Sequence, residues 1–157
     1  MNKKIKMLAM DVDGTLTDGK IYMGSQGEVY KAFNIKDGLG IKRLICHGMI
    51  PVIITGRSSD IVENRARELG ITEIYQGVQN KKVVLEQVAE KYRITLKQAA
   101  YIGDDCNDLT VMQIAGITFA PADAAQEVLD YADVVVQAKG GQGAVREAVD
   151  YLLKNRD

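Results

Sequence analysis

Short apolar runs alternate along this chain with helical segments of about ten residues, and that alternation is its strongest constraint. The runs are 5–10, 51–54, 73–75, 99–102, 117–120 and 134–136. Each is too short to be a helix and too apolar to be an exposed loop. The segments between them carry helix punctuation. Asp37 reads as the cap of a helix over 38–47 that Gly48 closes. Asp60 and Glu63 stand in capping-box spacing ahead of a helix to Leu69, stopped by Gly70. Further helices are predicted over 81–92, over 108–115 before Gly116, from an Asp123 cap to Tyr131, and over 144–153; Thr95 caps a brief turn. Buried strands joined by helices form a parallel sheet with right-handed crossovers. The expected fold is α/β, a doubly wound parallel sheet in one domain spanning 1–157.

One stretch departs from this rhythm. Lys20-Ile21-Tyr22-Met23 and Glu28-Val29-Tyr30-Lys31-Ala32-Phe33 flank Gly24-Ser25-Gln26-Gly27, which reads as a β-hairpin inserted after the first strand. A free two-stranded ribbon is marginal in water. Ile21, Tyr22, Met23, Val29, Tyr30 and Phe33 are therefore expected to pack against something, for which another subunit is a candidate.

The strand ends carry the chemistry. The first run ends in Asp11-Val12-Asp13-Gly14-Thr15, two carboxylates where an open α/β sheet binds ligands. Adjacent acids need a cation between them, and Mg²⁺ accepts one or two carboxylates together with substrate phosphate. The second run ends in Thr55-Gly56-Arg57, Lys81 follows the third, and Gly103-Asp104-Asp105-Cys106-Asn107-Asp108 follows the fourth. Phosphoryl transfer needs in-line positioning and positive charge around the oxygens. Lys81 and the metal would supply charge, and the Thr55 hydroxyl a hydrogen bond. Lys82 faces away from whatever Lys81 meets, since successive helix positions do not share a face.

The totals exclude other classes. A net charge of −1 leaves no electrostatic footprint for nucleic acid or an anionic membrane. No apolar stretch is long enough to span a bilayer, and the basic Met1-Asn2-Lys3-Lys4 does not open a signal peptide. Cys46 and Cys106 form no disulfide framework and no zinc spacing, which suits a reducing cytoplasm.

The ordered set Asp-x-Asp-Gly-Thr, Thr-Gly, Lys and Gly-Asp-Asp-x-x-Asp resembles the haloacid dehalogenase superfamily over essentially the whole chain. That likeness implies a Rossmann-like fold and a Mg²⁺-dependent phosphatase. It makes Asp11 the nucleophile, Asp13 the general acid/base with its backbone carbonyl on the metal, and Thr55 a phosphoryl ligand. Lys81 would stabilise the charge on nucleophile and phosphate, Asp104 would ligate Mg²⁺ with Asp11 and Asp13, and Asp108 would orient Lys81. With a hairpin where many members carry a cap domain, the chain resembles the superfamily's capless sugar-acid phosphatases, which are tetramers closed by a neighbour's hairpin and tail. Phe33-Asn34-Ile35-Lys36-Asp37-Gly38 and Gly140-Gly141-Gln142-Gly143-Ala144-Val145-Arg146-Glu147 share in that likeness, though little chain follows for a tail. The branch acts on phosphorylated sugar acids. Arg57 favours an eight-carbon substrate, 3-deoxy-D-manno-octulosonate 8-phosphate, over a nine-carbon sialic-type acid 9-phosphate, because nine-carbon-acid members tend to be acidic there. Substrate contacts are expected from Gly56, Arg57, Arg65 and Asp37, and a homotetramer with the hairpin at its interface.

Other readings compete. A receiver-like signalling domain also combines an acidic pair, Thr and Lys, but in a different order along the chain. A non-catalytic oligomerisation domain would not need these motifs intact. Glu68 reads as a solvated helix residue, His47 as exposed, Cys106 as a small filler, and the glycines at 140, 141 and 143 as a loop or a phosphate cradle. The roles of Asp105 and Arg146 stay open.

Overall fold

The computed structural model describes residues 4–156, so the basic Met1-Asn2-Lys3 and the final Asp157 lie outside the described residues. Six parallel strands form one sheet: β1 (Met7–Met10), β4 (Ile50–Ile54), β5 (Glu73–Tyr75), β6 (Ala99–Ile102), β7 (Ile117–Ala120) and β8 (Val134–Val135). Their order is β5-β4-β1-β6-β7-β8, so the winding reverses between β1 and β6. That gap is the topological switch point, where doubly wound sheets bind ligands. β2 (Tyr22–Gly24) and β3 (Gly27–Tyr30) pair antiparallel as the expected hairpin, and no cap domain interrupts the described residues.

Alternation along β1 sends side chains to opposite faces of the sheet. Leu8 and Met10 join a core with α1 (Ile35–Cys46), α2 (Asp60–Leu69) and α6 (Ala144–Lys154). Met7 and Ala9 join the other core, with α3 (Lys81–Lys91), α4 (Leu109–Met112) and α5 (Gln126–Tyr131). Each buried Leu, Val or Met contributes roughly 1.5–3 kcal/mol. Buried on both faces, the strands read as continuous apolar runs.

Several caps differ from expectation. Asn34, not Asp37, caps α1: its side chain accepts from the Lys36 amide, and Asp37 lies in the first turn instead. Ser59, not Asp60, caps α2, with its hydroxyl accepting from Ile61 N. Both real caps are short side chains one to three residues upstream, in extended backbone. Gly70 closes α2 in the left-handed conformation, as expected. The helix expected over 108–115 is a 3-10 turn, Cys106–Asp108, followed by the short α4, because the Asp108 side chain turns back to the loop amides. Asp123 caps no helix; it accepts from Gly140 N at 2.9 Å, and α5 starts three residues later.

Candidate active site

Register places the acidic groups together. Met10 pairs with Ile53 on one side and Ile102 on the other, so Asp11, the Ile54-Thr55 step and Gly103-Asp104 leave adjacent strand ends. Lys81 is the first residue of α3, capped by Asn80, and enters the same rim. Its side chain is 2% exposed, and Nζ lies 3.0 Å from Asp11 Oδ1 and 2.7 Å from Asp108 Oδ1. Lys82 is exposed, as expected.

Asp108 is fully buried and saturated with donors. Lys81 Nζ and the Tyr101 hydroxyl donate to Oδ1, while the amides of Asp104 and Asp105 donate to Oδ2. Gly103 is required beside it, because a Cβ there would stand 2.4 Å from Asp108 Cγ. With four donors on its two oxygens, Asp108 bonds Lys81 and has little acceptor capacity left for another ligand.

One carboxylate oxygen each from Asp11, Asp104 and Asp108 lie within 4.8 Å of one another. Burial, then the charge of Asp108, raises Asp11 above the ordinary carboxylate range, against the pull of Lys81. Asp104 is pushed up to about 8 by burial, by its hydrogen bond with Asp11 and by the surrounding acids. One ammonium does not offset three carboxylates. The pair Asp11 and Asp104 therefore calls for a proton or a hard cation, and oxygen donors at this separation suit Mg²⁺. Gly14 closes the pocket wall: its φ is +87°, and a Cβ would stand 1.9 Å from Asp104 Oδ2. Thr15 Oγ1 reaches Asp104 Oδ1 at 3.5 Å.

The Asp13 carboxylate is outside that three-acid group. Its Oδ1 accepts from Lys31 Nζ at 2.6 Å, and its Oδ2 is 4.0 Å from Arg57 Nε. Lys31 also pairs with Glu28 at 3.0 Å, and Glu28 Oε2 is 3.5 Å from Arg57. Burial alone would lower the Lys31 ammonium, but its bonds and charges with Asp13 and Glu28 prevail and raise it. Lys31 and Glu28 were not read from the sequence as site residues. The available signal was a lysine and a glutamate three apart on a strand otherwise rich in apolar side chains.

Thr55 is buried at the end of β4, its carbonyl accepting from Val78 N at 3.1 Å. Gly56 and Arg57 are exposed on the loop beside Asp13. Arg65 and Asp37 line a separate narrow cleft between α1 and α2 with Phe33 and Leu69. Arg65 pairs with Glu68 at 3.1 Å and stacks over the Phe33 ring; Asp37 accepts from Arg146 N at 2.9 Å. The glycines at 140 and 141 are no phosphate cradle, since their amides serve Asp123 and the Thr15 carbonyl. Instead they press on the loop after Asp13: a Cβ on Gly140 would stand 1.9 Å from Gly14 O. Arg146 binds Asp150 at 3.0 Å and the Lys36 carbonyl. His47 and Cys106 are exposed, Cys106 Sγ facing Glu127. Asp105 caps the 3-10 turn through Cys106 N.

Comparison with known proteins gives the family of the chain. The family of haloacid dehalogenase-like hydrolases matches residues 68–148. The chain is 46% identical over 151 residues to the 3-deoxy-D-manno-octulosonate 8-phosphate phosphatase KdsC of Escherichia coli, covering 96% of this chain and 80% of that one. A crystal structure of the phosphatase of the same name from Yersinia pestis superposes with a TM-score of 0.95 at 46% identity, covering 98% of this chain and 83% of that chain. The Moraxella catarrhalis phosphatase, in complex with magnesium ion, phosphate ion and KDO, superposes with a TM-score of 0.92 at 44% identity, covering 96% and 86%.

Proposed function

The chain belongs to the haloacid dehalogenase-like hydrolases, and on that premise we propose that it hydrolyses the phosphate ester of 3-deoxy-D-manno-octulosonate 8-phosphate through an aspartyl-phosphate. The observation that carries the mechanism is the convergence of Asp11, Lys81, Asp104 and Asp108 at the switch point. In the first step Asp11 Oδ attacks phosphorus. The bond from phosphorus to the ester oxygen breaks, and Asp13 gives that oxygen a proton. In the second step Asp13 takes a proton from water as it attacks the aspartyl-phosphate, releasing inorganic phosphate and restoring Asp11. Lys81 holds the nucleophile and faces the phosphoryl charge, Asp108 orients Lys81, and the Thr55 hydroxyl binds a phosphoryl oxygen. Mg²⁺, held by Asp11, Asp104 and the Asp13 carbonyl, would offset the negative charge of carboxylates and phosphate.

Substrate recognition falls to the loop Gly56-Arg57. Arg57 is half-exposed beside Asp13, and a guanidinium grips a carboxylate in bidentate fashion. That grip suits the carboxylate of either acid, and the names of the relatives favour the eight-carbon one. Within one chain Asp37 and Arg65 bond to α6 and α2 rather than to Asp11 or Asp13. Their cleft is a second place where a sugar acid could be touched. Ile21, Met23, Val29 and Tyr30 are exposed on the hairpin and support a homotetramer that buries them. No helix among the described residues is long and apolar enough to cross a membrane, and two exposed free cysteines suit the cytoplasm.

The deciding experiment is release of phosphate from eight- and nine-carbon sugar acid phosphates, with Mg²⁺ and with EDTA. The reading expects Mg²⁺-dependent turnover with a preference for the eight-carbon ester. No turnover of any ester would leave a non-catalytic role.

A further inference from the structure

Four side chains from three segments close a ring of alternating charge around one face of the site. Lys31 lies between Asp13 at 2.6 Å and Glu28 at 3.0 Å, and Arg57 faces Glu28 at 3.5 Å and Asp13 at 4.0 Å. Two of the four, Glu28 and Lys31, come from the hairpin. The Lys31 side chain is 2% exposed, so the residue that follows β3 delivers its ammonium inward. Glu28 Oε1 also accepts from Ser59 Oγ at 2.9 Å, the residue that caps α2. The hairpin is thus tied to the loop after β4 from within the same chain.

We infer that Lys31 and Glu28 are positioning residues for the reaction: Lys31 fixes Asp13, and Glu28 fixes Arg57. Lys31 occupies Asp13 Oδ1 with a charge-assisted bond, so the proton for the leaving group is assigned to Oδ2, which lies 4.0 Å from Arg57 Nε. Carboxylates rotate freely about their last torsion unless something holds them. A general acid must be within hydrogen-bond reach of the atom it protonates. Glu28 Oε2 in turn lies within ion-pair distance of both the Lys31 ammonium and the Arg57 guanidinium, so the second arm of the hairpin sets the acid and the specificity arm together. The Asp13 half stands on the phosphatase reading above, and the Arg57 half on its carboxylate reading.

The test separates bond cleavage that needs a proton from cleavage that does not. p-Nitrophenyl phosphate leaves as a stabilised phenolate, whereas the sugar acid phosphate leaves as an alkoxide unless protonated. Lys31→Met should lower kcat/KM for 3-deoxy-D-manno-octulosonate 8-phosphate about 100-fold, within the span of general acid catalysis. For p-nitrophenyl phosphate the loss should stay under about tenfold, and Lys31→Arg should recover part of it. Glu28→Gln should raise KM for the sugar acid phosphate about tenfold while KM for p-nitrophenyl phosphate stays within about twofold, the pattern of lost uniform binding. Crystals of Lys31→Met should show the Asp13 carboxylate displaced. Equal losses on both esters, or an unmoved Asp13, overturn the Lys31 assignment. An unchanged KM overturns that of Glu28. If Lys31→Met does not fold, Lys31→Arg and Glu28→Gln still decide. A parent enzyme that cleaves neither ester refutes the phosphatase reading instead.

Discussion

Lys81 and Asp108 stand 27 positions apart in the chain and meet at 2.7 Å, where the same ammonium also reaches Asp11 at 3.0 Å. Burial favours a neutral lysine, yet Asp11 and Asp108 keep its proton on and raise its pKa. A buried charge with two acidic neighbours cannot be removed cheaply. Lys81→Met should reduce turnover about 10²–10³-fold by withdrawing charge from the phosphoryl site. It should also lower unfolding free energy by roughly 3–5 kcal/mol, because it leaves Asp108 uncompensated. Steady-state hydrolysis and urea unfolding measure the two effects, and a stable, active variant would remove Lys81 from both roles.

The parallel sheet and this acidic centre were legible because strand ends are easy to read. An apolar run buried on both faces tells where a strand stops; Asp11 and Thr55 follow those stops directly, and Asp104 follows one residue later. Caps were harder. Asp37 and Asp60 look like caps, but short side chains just upstream, Asn34 and Ser59, take the helix amides first. Lys31 and Glu28 escaped notice for another reason. Their role depends on how the hairpin folds over Asp13, a long-range contact that neither periodicity nor a local motif records.

Asp11 and Asp13 should fail in different ways. Asp11→Asn removes the nucleophile and should cost at least about 10⁴-fold in kcat on every ester. Asp13→Asn keeps the nucleophile but not the proton carrier. It should still form phosphoenzyme with p-nitrophenyl phosphate and release phosphate slowly from it. Acid-quenched mass spectrometry distinguishes them: a phosphorylated Asp13→Asn and an unmodified Asp11→Asn are expected. Phosphoenzyme in Asp11→Asn would place the nucleophile elsewhere.

The stretch from Gly140 to Gly143 acts as a wall on the loop after Asp13. Gly141 N donates to Thr15 O at 3.1 Å, and a Cβ on Gly140 would meet Gly14 O at 1.9 Å and Thr17 O at 2.9 Å. Backbone atoms on both sides cannot yield as a flexible side chain would. Gly140→Ala should therefore push the loop that carries Asp13 and cost about 1–3 kcal/mol, as overpacking does. Turnover should fall at least about tenfold, since small misplacements are costly at a reacting centre. Thermal unfolding and kcat on p-nitrophenyl phosphate check both. Normal kcat with normal stability would show the loop free to move.

Asp37 carries the clearest dependence on pH away from the acidic centre. It is 2% exposed, its Oδ2 finds no partner among the described residues, and burial pushes its pKa up to about 6. The amides of Arg146, Gly143 and Val145 and the charge of Arg65 oppose that rise without cancelling it. A carboxyl that holds its proton more tightly folded than unfolded favours the fold most below its unfolded value, near 3.8. That contribution is lost as pH climbs through about 6, and the gap corresponds to about 3 kcal/mol. Asp37→Asn keeps an oxygen for the Arg146 amide and cannot ionise. Its stability relative to the parent should rise by roughly 1–3 kcal/mol between pH 4.5 and 7.5, read by urea unfolding of both proteins across that range. A difference that stays flat with pH would mean that the α6 amides hold Asp37 at an ordinary carboxylate value and that its burial costs the fold nothing.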